Sequence, residues 1–88
     1  MRYPVFVFMT KSGTYDGYFV DAIGCFFAGD TFDEALRDAE LSFKQYMEVL
    51  AEDGGHTPAP SDEAACIDDP RLAQDNGVLA FVEIVHQA

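Results

Sequence analysis

The sequence predicts an α+β fold: a three-stranded antiparallel meander, a long amphipathic helix packed on the sheet, a short helix and a final strand, in the order β-β-β-α-α-β. Three observations carry that prediction. Short runs rich in β-branched and aromatic residues open the chain, a helical period of apolar residues with a clear start and stop fills its middle, and one more apolar β-rich run closes it. The 88 residues suffice for one small domain, which buries roughly 60 to 65% of the surface its unfolded form exposes. We therefore expect a single domain over 1–88.

Tyr3 to Thr10 (YPVFVFMT) is too short for a buried helix and apolar on both faces, so it reads as a strand. Pro4 near its start suits an edge position. Lys11, Ser12 and Gly13 supply a turn, and Thr14 to Asp21 (TYDGYFVD) forms the second strand, with Gly17 as a candidate bulge. Ala22, Ile23 and Gly24 turn the chain again, and Cys25 to Ala28 is a short third strand that stops at Gly29.

Thr31 followed three residues later by Glu34 is a capping box, in which the threonine hydroxyl accepts from the Glu34 amide and the carboxylate reaches back. Asp30 and Asp33 add negative charge where the helix dipole favours it. At 100° per residue, Phe32, Ala35, Leu36, Ala39, Phe43, Tyr46, Met47 and Leu50 fall in a stripe about 120° wide, so one face packs on the sheet. The other face carries Glu34, Arg37, Asp38, Lys44, Glu48 and Glu52, with Asp33–Arg37 and Glu40–Lys44 in the favourable i,i+4 order. Leu41 lies nearly opposite the stripe. A lone surface leucine is commonplace, and this one is also a candidate partner contact. Gly54 and Gly55 end the helix near Asp53.

His56 to Ser61 (HTPAPS) is a Pro-containing connection. Ser61 to Ile67 forms a short helix capped by Ser61 or Asp62, which Asp68, Asp69 and Pro70 stop. Asn76 and Gly77 make a turn, and Val78 to Val85 (VLAFVEIV), almost wholly apolar, reads as a strand buried in the sheet.

Composition narrows the function classes. Eight Phe and four Tyr, with spread Val, Leu and Ile, supply the apolar area that disordered chains lack. Sixteen acidic residues against five Lys and Arg give a net charge of -11, which repels phosphate and disfavours nucleic-acid binding. A basic protein is the natural partner, although high charge also simply keeps small domains soluble. Two cysteines make no disulfide framework, the chain opens with no leader pattern, and no apolar run approaches the roughly 20 residues of a membrane span. We expect a cytoplasmic protein with no membrane role.

An ordered set of short motifs then points to a family. Phe19, Asp21, Gly24 and Cys25 form an F-x-D-x-x-G-C corner; Gly29, Asp30 and Thr31 open the helix; Glu34, Ala35 and Leu36 make its first turn; Asp53, Gly54, Pro58 and Pro60 form a D-G-x-x-x-P-x-P exit; and Tyr15, Glu52 and Ser61 flank these motifs. Over nearly the whole chain this resembles the N-terminal domain of HicB-like antitoxins. The resemblance implies a partial RNase H-like fold and a protein that binds a small basic HicA-type toxin, an RNA-cleaving domain, and covers its catalytic histidine. Val20 and Ile23 stand where the family commonly has prolines. Only His86, Gln87 and Ala88 follow the last strand, so we expect no C-terminal DNA-binding domain in this chain.

Catalytic readings fare poorly against simpler ones. Asp21, Asp30 and Asp33 are close enough in sequence to gather as metal-binding carboxylates of RNase H type, but capping and turn formation account for each. Cys25, Cys66, His56 and His86 lack any zinc-ligand pair spacing, and nothing marks a lowered thiol pKa. Tyr15, Tyr18, Phe19, Phe26 and Phe27 lack the flanking Lys and Arg of a base-stacking platform, so core packing explains most of them better. Asp30 at the helix mouth would repel phosphate. We expect no enzyme, no metal site and no cofactor. The leading reading is an antitoxin domain whose Asp16, Asp21, Asp30, Asp33, Glu34 and Asp38 steer a basic toxin, with Leu41 as a further contact. The rival is an orphan scaffold or regulatory protein-binding domain. In either case exposed strand edges favour a homodimer or higher homo-oligomer.

Overall fold

The computed structural model describes residues 1–74 and 76–84. The elements are β1 (Arg2–Met9), β2 (Tyr15–Phe19), β3 (Phe26–Gly29), α1 (Phe32–Glu52), α2 (Glu63–Ile67), α3 (Pro70–Gln74) and β4 (Val78–Glu83). The four strands form one antiparallel sheet in the order β3-β2-β1-β4. The meander, the long helix and the returning strand are thus as the sequence predicts.

Alternation along β1 sends side chains into two layers. Tyr3, Val5 and Val7 join Phe19, Ala22, Cys25, Phe27, Val82 and the Ala35, Ala39 and Phe43 face of α1 in the main core. Phe43 lies 4.6 Å from the Tyr3 ring and 4.9 Å from the Phe19 ring, ring centre to ring centre. Pro4 and Phe6 point the other way and are also buried, because the segment after α1 returns across that back face. There the Arg71 guanidinium lies 5.7 Å from the Phe6 ring centre and 5.6 Å from that of Tyr18.

The helix keeps close to its predicted bounds. Thr31 Oγ1 accepts from the Glu34 amide at 3.1 Å, and Gly54, at a φ of 75°, ends it just past Asp53. The surface pairs Asp33–Arg37 and Glu40–Lys44 do not close; among the described residues the ion pairs are Met1–Glu83 and Asp69–Arg71.

Several expectations are corrected. Pro4 lies in a central strand, not at an edge; its carbonyl accepts from Val20, so its nitrogen also faces the β2 side, just beyond Phe19 where β2 ends, and the missing N–H forgoes only the second bond of that terminal pair. Gly17 is no bulge, since the register runs unbroken through it. It is small because a Cβ there would come within 2.3 Å of the Phe27 ring. The last strand is an edge strand in which only Val82 is buried; its predicted end, Val85, lies outside the described residues. Asp62 caps α2, accepting from Ala65 at 2.9 Å. Pro70 does stop α2, but it also opens the unforeseen α3, where Asp69 Oδ1 accepts from the Arg71 amide.

Candidate partner-binding surface

The corner after β2 is built by local chemistry. Gly24 takes a φ of 87°, the conformation glycine adopts freely, and lets Cys25 donate to Ala22 and Phe19 donate to Cys25 across the turn, each at 3.1 Å. Ile23 stands at the tip, 88% exposed. The Asp21 carboxylate faces inward along the chain instead of outward: it accepts from the Ser61 amide at 2.7 Å and from the Ser61 hydroxyl. Tyr3 donates its hydroxyl to the Pro58 carbonyl at 2.7 Å. These contacts strap the Pro-containing connection to the end of the sheet, and burial followed by the Asp21 charge raises the Tyr3 pKa.

At the other end of β3 the chain enters α1. Gly29 allows the helix to press against the strand, because a Cβ at that position would meet the Ala35 amide nitrogen at 2.3 Å. Asp30, Asp33 and Glu34 are exposed around this entry. One turn on, Asp38 reaches back and its Oδ2 accepts from the Ala28 amide at 3.0 Å. Asp16 is the cross-strand neighbour of Ala28 and, two residues from Tyr18, shares the face turned away from α1. Asp16 and Asp38 flank a shallow depression floored by Phe8, Tyr18 and Phe26.

Five of the predicted acids, Asp16, Asp30, Asp33, Glu34 and Asp38, therefore surround β3 and the start of α1. Asp21 does not join them. Tyr15 pairs with Gly29 while Phe19 bonds to Cys25, so the end of β2 and the start of α1 lie at opposite ends of the short strand between them. The gathering of Asp21, Asp30 and Asp33 imagined for a metal is absent for that reason, and among the described residues no group of three His, Cys, Asp or Glu is placed to hold an ion. Leu41, 54% exposed, follows Glu34 and Asp38 along the same exposed face of α1 and lines a cleft between α1 and β4.

Of the five aromatics that core packing mostly explains, Phe19 and Phe27 are buried and Phe26 is the exception, 67% exposed. The signal was available: Phe27 and Phe26 are adjacent in a strand, so burying one exposes the other. The cysteines are buried in separate places. Cys25 belongs to the main core, and burial pushes its thiol up to about 11. Cys66 is raised first by burial and then by Asp21, Asp69 and Asp62, against the opposing effect of Arg71. Neither is poised as a nucleophile. Of the other zinc candidates, His56 is exposed on the connection after α1 and His86 lies outside the described residues. No described helix is long and apolar enough to cross a membrane.

Over residues 3–87 the sequence matches the HicB-like antitoxin of bacterial toxin-antitoxin systems. The chain belongs to that family. A chain of the HicA3 and HicB3 toxin-antitoxin complex is 47% identical with a TM-score of 0.86, the match covering 98% of this HicB-like chain and 100% of that one. The crystal structure of antitoxin HicB3 gives 48% identity and a TM-score of 0.82 over 97% of this chain. The match covers 62% of that antitoxin's chain. The N-terminal domain of the Burkholderia pseudomallei antitoxin HicB has the same fold, with a TM-score of 0.79 at 24% identity over 98% of this chain and 100% of that one. Among curated proteins none matches.

Proposed function

We propose that this HicB-like domain binds and neutralises a small, basic, RNA-cleaving HicA-type toxin by covering its active site. The observation that carries the reading is the 47% identity over nearly the whole chain to a chain of a HicA3 and HicB3 complex. Physical features support it. A net charge of -11 draws a basic partner in, and Asp16, Asp30, Asp33, Glu34 and Asp38 concentrate that field at one corner of the sheet. Phe26 and its half-buried neighbours Phe8 and Tyr18 offer apolar area at the same corner, of the kind that slows dissociation once the charges have steered encounter. Asp21 holds the strap at Ser61 and so acts on the shape of the surface; Leu41 is a separate, lesser contact.

In this reading the protein works by occlusion and carries no chemistry of its own: its thiols are shielded and its carboxylates serve as caps, straps and field. It acts in the cytoplasm, where an RNA-cleaving target works, and does not itself bind nucleic acid. The test is co-expression with the product of the neighbouring gene, followed by light scattering and an RNA-cleavage assay. A stable complex that silences cleavage is expected; free elution with cleavage unaffected would overturn the proposal. Reversing Asp16 and Asp33 to lysine should slow association roughly tenfold at low salt and much less at high salt.

A further inference from the structure

The sheet face turned away from α1 carries two cross-strand rows of side chains. In one, Phe26, Tyr18 and Phe6 stand side by side across β3, β2 and β1; in the other, Ala28, Asp16 and Phe8 do. The rings form one floor: Tyr18 lies 5.8 Å from Phe6, 6.3 Å from Phe26 and 6.4 Å from Phe8, centre to centre. The chain itself covers half of it. The Arg71 guanidinium lies over Phe6 and Tyr18, and Asp69 holds it through two side-chain nitrogens. The other half, over Tyr18, Phe26 and Phe8, is flanked by carboxylates as well. Asp16 stands beside Ala28 across the strands, Asp38 accepts from the Ala28 amide, and both line the depression. None of the five Lys and Arg lines it, and among the described residues neither carboxylate has an ion-pair partner.

We propose that this half of the floor receives one arginine side chain of the basic partner, its guanidinium stacked on the Phe26 and Tyr18 rings and donating to Asp16 and Asp38. The partner's identity rests on the toxin-binding reading above; the choice of side chain does not. Arg71 supplies that choice, because rings plus a carboxylate are the combination with which this face already holds a guanidinium. Two carboxylates beside aromatic faces attract a cation, and the chain brings none of its own to them. A planar guanidinium stacks and donates to both acids at once, whereas an ammonium is a compact, strongly hydrated point charge. The same event covers Phe26, 67% exposed. Charge steering by the acidic corner is thereby followed by a specific anchor, in which an aromatic pocket and an arginine meet.

Titration of the full chain with N-acetylarginine amide, followed by NMR at the Ala28 amide and the Phe26 ring, tests the receptor without a protein partner. Saturable shifts are expected, with an affinity at least about threefold above that for N-acetyllysine amide, which carries the same charge. Asp16→Asn and Phe26→Ala, neither in the main core, should each remove that preference. Equal affinity for the two amides, or a preference that survives both substitutions, overturns the proposal. In the complex with the neighbouring gene's product, each variant should keep a native circular dichroism spectrum and dissociate about tenfold faster. A complex equally tight in both variants overturns the anchor and leaves the toxin-binding reading standing. If the unaltered chain forms no complex while the arginine preference holds, the toxin-binding reading falls and the arginine receptor is upheld.

Discussion

The two edges of this sheet solve the same problem differently. A strand edge carries unpaired amides and carbonyls that invite another chain. At β3 the exposure is contained: the strand has four residues, α1 presses on it at Gly29, and Asp38 fills the outward amide of Ala28. At β4, six residues long, no described side chain bonds the outward amides and carbonyls, and Arg2, Arg37 and Lys44 lie near Glu40, Glu48 and Glu83. The guarded edge is also the acidic one, which suits recognition by side chains and electrostatic field; the open edge suits backbone pairing.

The largest effect should come from the helix that guards β3. Phe43, 1% exposed, joins α1 to the sheet through Tyr3 and Phe19, and Phe43→Ala should cost about 3–5 kcal/mol in chemical denaturation. Gly29→Ala probes the same contact locally. Its Cβ would meet backbone atoms of Glu34 and Ala35, which cannot yield as a side-chain tip can, so a loss of about 1–3 kcal/mol is expected. Gly77→Ala, before β4, meets the Val7 carbonyl at 3.3 Å and Leu72 in ordinary contact at 3.8 Å and should cost under about 1 kcal/mol. Equal costs at the two glycines would break the contrast between a clamped and an unclamped edge.

Smaller changes sharpen it. Thr31→Ala removes the cap at the Glu34 amide and should cost about 1 kcal/mol. Asp38→Ala unguards β3: the Ala28 amide should exchange with solvent several-fold faster and the variant should self-associate more readily, at a stability cost of about 0.5–1.5 kcal/mol. If Ala28 exchange were unchanged, the carboxylate would not be what protects that edge.

How much of this was legible in the sequence depends on the length scale of the signal. The helix was, nearly to the residue, because the Thr31 cap, the apolar stripe and Gly54 are all local. The meander was, because Gly13 and Gly24 mark both turns. The place of β4 was not: an apolar run reports that side chains find cover, and Val78–Glu83 finds part of it against β1, yet which strand ends up outermost depends on long-range pairing that no local pattern encodes. The helix α3, five residues long, is too short to show a period, and its only signal was Asp69 before Pro70. For the candidate surface, the acids were visible as types but not as neighbours. Asp21 looked like the others until the register of β2 and β3 placed it at the far end of the sheet, on Ser61.

Titration offers two further tests. Burial holds the Cys25 thiol neutral with its pKa pushed up to about 11. A raised acid contributes stability that is complete below its unfolded value and is lost as pH rises through the folded one, so the Cys25 contribution should decline from about pH 8.5 to about 11; Cys25→Ala should flatten that alkaline limb.

The smallest effect belongs to the back face. The Asp69 carboxylate is held below its ordinary range by hydrogen bonds from the Arg71 side chain and amide, the Nη2 to Oδ2 distance being 2.7 Å. A lowered carboxylate contributes stability above its unfolded pKa and loses it as pH falls through the folded value, so this contribution should fade on acidification below about pH 4. The pair is partly exposed, which limits its worth to about 0–1 kcal/mol. Its consequence is positional: Arg71 keeps its place over Phe6 and Tyr18 because Asp69 fixes the guanidinium. Asp69→Asn should therefore alter the near-ultraviolet signal of Tyr18 at neutral pH more than it alters the unfolding midpoint. A large drop in midpoint with an unchanged tyrosine signal would instead mean that Asp69 serves α3 as a cap and leaves the back face to hold itself.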